Sequence, residues 1–248
     1  MIEGMLTAKG IKVVRRRLRA SIHRVDPVNV GLRWMRSNPR WRYDVAGPNA
    51  LWHNDGLHKL IRYGFVIHAC MDGYSRICTS LLCATNNLAA TALAGFMSGV
   101  EKYGLPERVR GDKGTENNEI ERYMNNERGG GSYIRGPSVH NTRIERLHYD
   151  TTHCSLSHFI KMFRFLEEKE ELDKDKEVDL FCLHFVFKCR IQQLLDEFRE
   201  GWNSHRLSAC RKRTPSQLFL LGVMDTAIHS QIGVESAAYT PFGSSFPC

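Results

Sequence analysis

In the segment GIKVVRRRLRASI (10–22), apolar Ile11, Val14, Leu18 and Ile22 recur at helical spacing, with Arg15, Arg16, Arg17 and Arg19 mostly on the other faces. The pattern predicts a short basic helix. It reads as the last helix of a helix-turn-helix-like module whose earlier helices are missing, within a helical basic segment over 1–25. Residues 26–49 carry Pro27, Pro39, Gly47 and Pro48 beside Trp34, Trp41 and Tyr43, which predicts an extended, partly docked linker. At residue 50 the pattern changes to three strand-like runs, ALWHNDGLHKLI, YGFVIHACMDG and RICTSLLCAT. Gly64 and Gly73 stand at the breaks between them, where a hairpin turn favours a residue that tolerates positive φ. Residues 87–103 predict a helix with Leu88, Ala92, Phe96 and Val100 on one stripe, stopped by Gly104-Leu105-Pro106.

A short strand at RVRGD, a helix near 116–128, a flexible Gly129-Gly130-Gly131 break and a fifth strand at SYIRGP follow. Asn141 is placed to cap a long helix through about residue 170. The charge run EEKEELDKDKEVD (167–179) reads as a solvated helix end and loop. Positions 180, 183, 187, 191, 194, 198 and 202 then form a clear helical stripe. Hairpin-linked strands followed by a strand after a helical crossover imply an α/β fold, a mixed five-stranded sheet flanked by helices.

The chain has 248 residues, 42% hydrophobic and 25% charged, enough apolar material for a full core and too much for whole-chain disorder. No apolar run approaches the ~18 residues of a membrane span, so no membrane partner is expected. The N-terminus lacks the apolar stretch of a secretory signal. Cysteines stand at 70, 78, 83, 154, 182, 189, 210 and 248 without a CxxC pair. A zinc ribbon is therefore not expected, and these thiols read mostly as buried apolar fillers in a reducing compartment. The net charge of +8 is unevenly spread: residues 1–42 hold eleven Lys or Arg against two acids, the remainder 24 against 25. Excess charge confined to one end points to a polyanionic partner, most often nucleic acid; a solubilising tail is the plainer alternative.

Three carboxylates occupy special places. Asp55 lies within the first strand run, Asp112 ends the short strand before Lys113-Gly114, and Glu145 falls early in the helix that opens near Asn141, at offsets of 57 and 33 residues. Strand ends beside a Gly turn are where α/β sheets place ligands. Clustered carboxylates repel one another unless neutralised, and hard Mg²⁺ or Mn²⁺ prefers such oxygen ligands. Two ions about 4 Å apart can serve both the attacking and the leaving oxygen of a phosphoryl transfer. Asp72 is expected to shape a turn, and Glu116 and Glu119 to face water.

The words around these acids extend the reading. WHNDG-HKLIRYGFVIHACMDGYSR, YGLPERVRGDKGTEN, SVHNTRIERL and the later WNSHRLSACRKRTPSQLFLLG resemble the integrase catalytic core of retroviruses and transposable elements, within the ribonuclease-H-like superfamily. The likeness covers roughly 50–222 and is nearest to the integrase-core proteins of animal genomes. It implies a metal-binding catalytic triad of Asp55, Asp112 and Glu145, a two-metal Mg²⁺ or Mn²⁺ site, and DNA integration by phosphodiester cleavage and strand transfer. It also implies DNA as partner, a homo-oligomer and a nuclear location. There are departures: no His-His-Cys-Cys module precedes Asp55, no basic barrel-like tail follows residue 222, and His148 stands where an aromatic such as Trp is expected. Residues 223–248 are expected to form a poorly ordered tail. Arg15, Arg16, Arg17, Arg19, Lys113, Asn117, Arg143 and Arg146 are the candidate nucleic-acid contacts, with Arg135 beside them. Arg143 and Arg146, three apart, share a helix face. His53, His58 and His140 read as structural. The rival readings are a non-catalytic, transposon-derived nucleic-acid-binding or scaffold protein, and a metal-dependent nuclease without joining activity.

Overall fold

The computed structural model describes residues 2–27, 45–136, 142–208, 210 and 212–231. Strands β1 (Trp52–Leu57), β2 (Val66–Asp72), β3 (Cys78–Ala84), β4 (Val109–Gly111) and β5 (Tyr133–Arg135) form one sheet in the order β3-β2-β1-β4-β5. β1 and β3 run antiparallel to β2, while β1, β4 and β5 run parallel. Two helical crossovers supply the parallel strands: α3 (Ala89–Tyr103) before β4, and α4 (Asn118–Arg128) before β5. A long helical passage follows, with α5 (Thr142–Thr151), a π-helical segment (Thr152–Leu156) and α6 (Ser157–Glu168), then α7 (Glu177–Ser204) and α8 (Pro215–Gln231). The mixed, five-stranded, helix-flanked sheet expected from the pattern is the one observed.

Strand alternation divides the core in two. Trp52, Cys70, Val109 and Tyr133 pack on Ala92 and Phe96 of α3 and on Ile120 and Met124 of α4. Leu57, Ile67, Ala69 and Met71 face the other way, onto Ile144 and Leu147 of α5, Phe159 and Phe163 of α6, and Leu183, Ile191, Leu195 and Phe198 of α7. β2, central to its hairpins and covered on both faces, is buried at every position. β3 is one edge of the sheet, and α7 covers its free backbone with two side-chain amides. Gln192 accepts from Cys83 N (2.8 Å) and donates to Leu81 O (3.0 Å), and Asn203 accepts from Cys78 N (2.8 Å) and donates to Cys78 O (3.0 Å). Those amides take the place of a sixth strand and close the edge to pairing with another chain. Asn203 belongs to the WNSH segment, whose Trp202 also donates to Arg76 O at 2.9 Å.

Several local expectations change. The run HKLI does not continue β1: residues 58–65 form a loop with a 3₁₀ turn at Ile61–Tyr63, closed by Gly64 at φ 74°. The β2–β3 turn does not use a left-handed Gly73; Arg76 takes that conformation at φ 65°. It is held there by Asp72, whose carboxylate accepts from Ser75 N, Ser75 Oγ and Asn49 N at 2.6–2.9 Å. Leu88 lies before α3 and is exposed, so the buried face of that helix is Ala92, Gly95, Phe96 and Gly99.

At the N-terminus two helices stand where one was expected: α1 (Ile2–Ala8) packs Met5 and Gly4 on α7 at Gly201 and on His205 just past its end, and α2 begins only at Arg15 and runs to Val25. Ile11 and Val14 lie outside α2 and are exposed, and α2 buries no residue. Asn141, the expected cap of the long helix, lies outside the described residues, as does His140. At the other end α8 continues through Gln231, past the expected tail boundary at 223, and 232–248 lie outside the described residues. Cys70, Cys78, Cys83 and Cys210 are buried, as fillers should be, whereas Cys154, Cys182 and Cys189 are exposed. No helix among the described residues is long and apolar enough to cross a membrane.

Candidate active site

The parallel register of β1 and β4 gathers the acids. Trp52 lies opposite Val109 and His53 opposite Arg110, a constant offset of 57. The same offset carries Asp55 to Asp112, one residue beyond the end of β4. Alternation turns Asp55 toward the face covered by α5, away from Trp52 and Asn54, and Asp112, just past β4, lies close enough to act on it. Glu145 lies in the first turn of α5 and is exposed.

The electrostatics record this gathering. Burial first, and then the charges of Asp112, Glu145 and Glu116, push the Asp55 carboxyl from 3.8 up to about 7; only a hydrogen bond from Gly56 N, at 2.9 Å, opposes them. Glu116, expected to face water, is half-buried and adds a fourth carboxylate to this group. His148 of α5 sets its Nδ1 3.6 Å from Asp55 Oδ2. Burial and nearby His58 push the imidazole down to about 4 while burial and the acidic neighbours push Asp55 up to about 7, so both shifts oppose an ion pair at this contact. His148 Nε2 is buried and finds no hydrogen-bond partner among the described residues.

Asp112 is held differently. Its Oδ1 accepts from Gly114 N at 3.0 Å and from Asn117 Nδ2 at 2.7 Å. Asn117, a candidate phosphate contact by sequence, is buried and its amide is engaged internally, so it is not a phosphate ligand here. Arg146 is exposed but makes a two-pronged ion pair with Asp150 (2.9 and 3.2 Å) and lies over the Tyr149 ring. Arg135 is tied to Glu121 and to Asn118. Burial pushes the Asp72 carboxyl up, and its hydrogen bonds from Ser75 and Asn49 and the charge of half-buried Arg143 only partly offset this. Lys113 projects to solvent beside Asp112, and Arg16, Arg17 and Arg19 lie on α2, with Arg15 3.5 Å from Glu3. Glu119 pairs with Arg122. His53 is fully buried and His58 exposed above Gly56. Asn54, passed over in the sequence, is the buried neighbour of Asp55 that bonds Asn117. Its polarity in the middle of a strand facing the core was the available signal.

The donors suit a hard divalent cation: carboxylate oxygens on β1 and just past the end of the adjacent β4, carrying more negative charge than the site tolerates, as the raised Asp55 shows. Among the described residues, however, no three His, Cys, Asp or Glu side chains stand close enough together to close around an ion. The structure brings Asp112, Glu145 and Glu116 within electrostatic reach of Asp55 rather than into a finished cage.

Residues 42–232 match the family model described as "Integrase core domain". No curated protein sequence matches the chain. Among solved structures, the integrase catalytic core domain of HTLV-2 in complex with magnesium (dimeric form) is similar at 14% identity, with a TM-score of 0.46 over 71% of this chain and 99% of that one. The simian T-cell lymphotropic virus intasome in complex with the PP2A regulatory subunit B56 gamma is similar at 14% identity, with a TM-score of 0.49, covering 84% of this chain and 63% of that one.

Proposed function

The chain belongs to the integrase core domain family, with the ribonuclease-H-like sheet of that core, and from that premise we propose that it acts on DNA as an integrase or transposase: metal-dependent cleavage of a phosphodiester, then attack of a DNA 3′-hydroxyl on a phosphodiester of a second strand, which joins the two as the attacked P–O3′ bond breaks and leaves a new 3′-hydroxyl. The observation that carries the reading is the Asp55–Asp112 register, with an Asp55 carboxyl lifted to about 7 by burial and by its acidic neighbours. A site that crowds negative charge at a stability cost is suited to a cation. Asp55, Asp112 and Glu145 would hold it. Bound there, a divalent ion supplies neutralisation of the phosphodiester and polarisation of the attacking oxygen. The protein's own contributions are positional: β1 holds Asp55, the turn after β4 holds Asp112, α5 presents Glu145, and exposed Lys113 beside Asp112 would be available to a phosphate oxygen. Arg15, Arg16, Arg17 and Arg19 would anchor the DNA backbone from α2. The attack is in line, by water or a DNA 3′-hydroxyl, with no covalent enzyme intermediate. DNA as substrate implies a nuclear location in a eukaryotic cell, and a strand-transfer reaction on two DNA ends calls for at least a homodimer.

The lack of a three-donor metal group among the described residues favours one second reading, a non-catalytic DNA-binding protein built on the same fold. The deciding experiment incubates the purified chain with supercoiled plasmid and short duplexes, with and without Mn²⁺, and follows nicking and joining. The proposal expects Mn²⁺-dependent nicking that Asp55→Asn, Asp112→Asn and Glu145→Gln each abolish while DNA binding persists. Binding without any nicking, with no effect of the three substitutions on Mn²⁺ affinity, would establish the second reading instead.

A further inference from the structure

Beneath Asp112 a file of polar side chains runs through an otherwise apolar layer. Cys70 Sγ lies 3.2 Å from Asn54 Oδ1, Asn54 Nδ2 lies 2.5 Å from Asn117 Oδ1, and Asn117 Nδ2 lies 2.7 Å from Asp112 Oδ1. Cys70, Asn54 and Asn117 are 1%, 4% and 2% exposed, and their surroundings are Trp52, Phe96, Ile120 and Tyr133. Burying two carboxamides in such a layer is unfavourable unless every group is bonded, and apolar residues of similar size would pack there without that demand. Packing alone therefore does not account for them.

The file has a direction, and Asp112 sets it. An ionised carboxylate only accepts, so Asn117 must turn its NH₂ toward Asp112. Its carbonyl then faces Asn54, which must present its own NH₂. The Asn54 carbonyl in turn takes the Cys70 S–H, a thiol that burial keeps protonated and hence a donor. Every hydrogen bond donates toward Asp112. Gly114 N is the second donor to that carboxylate, and it shares Oδ1 with Asn117, so that Oδ2 takes neither bond.

We propose that Asn117, oriented by Asn54 and Cys70, is a positioning residue that fixes the Asp112 carboxylate rotamer so that Oδ2 is presented for cation binding. The proposal rests on the reading of Asp112 as a metal ligand. The elements joined are three: β2 supplies Cys70, β1 supplies Asn54, and the 3₁₀ turn Thr115–Asn117 supplies Asn117, so the relay also ties the DKGTEN loop to the sheet. Outer-sphere partners of metal ligands typically govern affinity by about 10–100-fold.

The test measures Mn²⁺ affinity of the full chain by calorimetry, with thermal melts of the same samples in EDTA. Asn117→Ala is expected to weaken Mn²⁺ binding by about 10–100-fold in protein that remains folded, and to add nothing further when placed on Asp112→Asn. A merely structural role would lower the melting temperature and leave the affinity unchanged, or lower the affinity equally in both backgrounds. Should Asn117→Ala fail to fold, Asn54→Ser, which leaves the Asn117–Asp112 bond but frees the Asn117 carbonyl, carries the same expectation. Wild-type Mn²⁺ affinity in a folded relay variant, alongside loss of affinity in Asp112→Asn, overturns the relay and leaves the proposed function standing. No change in Mn²⁺ binding on Asp112→Asn overturns the proposed function, and the relay with it.

Discussion

Replacing Asp55 by Asn should stabilise the metal-free protein at alkaline pH. The folded Asp55 titrates near 7 against 3.8 for the free side chain, a difference of about three pH units, or about 4 kcal/mol at 1.36 kcal/mol per unit. With only 20% of its side chain exposed, solvent screening removes little of this. The sign follows from linkage. Because the folded-state pKa is raised, the unfolded chain loses its proton first as pH rises. Unfolding therefore releases a proton between about pH 4 and 7, and stability falls across that window by up to ~1.4 kcal/mol per unit. The full penalty is present above pH 7 and absent below about 4. Asn keeps the Oδ1 acceptor for Gly56 N and offers its NH₂ to the neighbouring carboxylates, so the substitution removes the charge without stranding a polar group. Denaturant melts in EDTA at pH 4.5, 6 and 8 should show Asp55→Asn gaining up to about 4 kcal/mol over wild type at pH 8, with the gain closing toward acid. Mn²⁺ should narrow the gap, adding about 2.7 kcal/mol to wild type at one hundred times its Kd and nothing to the variant. Equal pH slopes for the two proteins, or a variant less stable than wild type at pH 8, would refute the reasoning and make Asp55 an ordinary solvated carboxylate.

Other outcomes follow from the same structure. Mn²⁺ affinity should climb about tenfold per pH unit up to about 7 and then level off, as Asp55 loses its proton; titrations at pH 6, 7 and 8 check this. Asn203→Ala should lose about 2–4 kcal/mol, since it leaves the buried N–H and C=O of Cys78 on the sheet edge unpaired; denaturant melts measure it. Gly111→Ala should destabilise by about 1–3 kcal/mol, because a Cβ there would overlap the Tyr133 hydroxyl, and pairing it with Tyr133→Phe should restore part of the loss. Converting Arg15, Arg16, Arg17 and Arg19 to Gln should lower the salt dependence of DNA binding by about 0.9 in log–log slope for each phosphate that the helix no longer neutralises, with the melting temperature unchanged because α2 buries nothing. Deleting residues 1–42 outright is a poorer test, since it also removes Met5 from its packing on α7.

The five strands and the helices between and after them through Ser204 were legible in order along the chain because each carries its own periodicity, whereas α1 and α8 were not read from the pattern. The short strand before Asp112, the long stripe ending at Trp202 and the turn role of Asp72 are local matters of side-chain spacing and hydrogen-bonding chemistry. Asp55, Asp112 and Glu145 could be singled out from the words around them, yet their company could not. That Glu116 joins them, that His148 sits neutral 3.6 Å from Asp55, and that the strain falls on Asp55 depend on which neighbours exclude water. Desolvation is a property of the packed site and has no signature in a one-dimensional pattern. The fates of Asn117 and Arg146 show the same limit. Both read as phosphate contacts, but one is folded inward to hold Asp112 and the other is already paired with Asp150. Residue type set what each side chain is able to bond, and the tertiary structure decided which partner stood within reach.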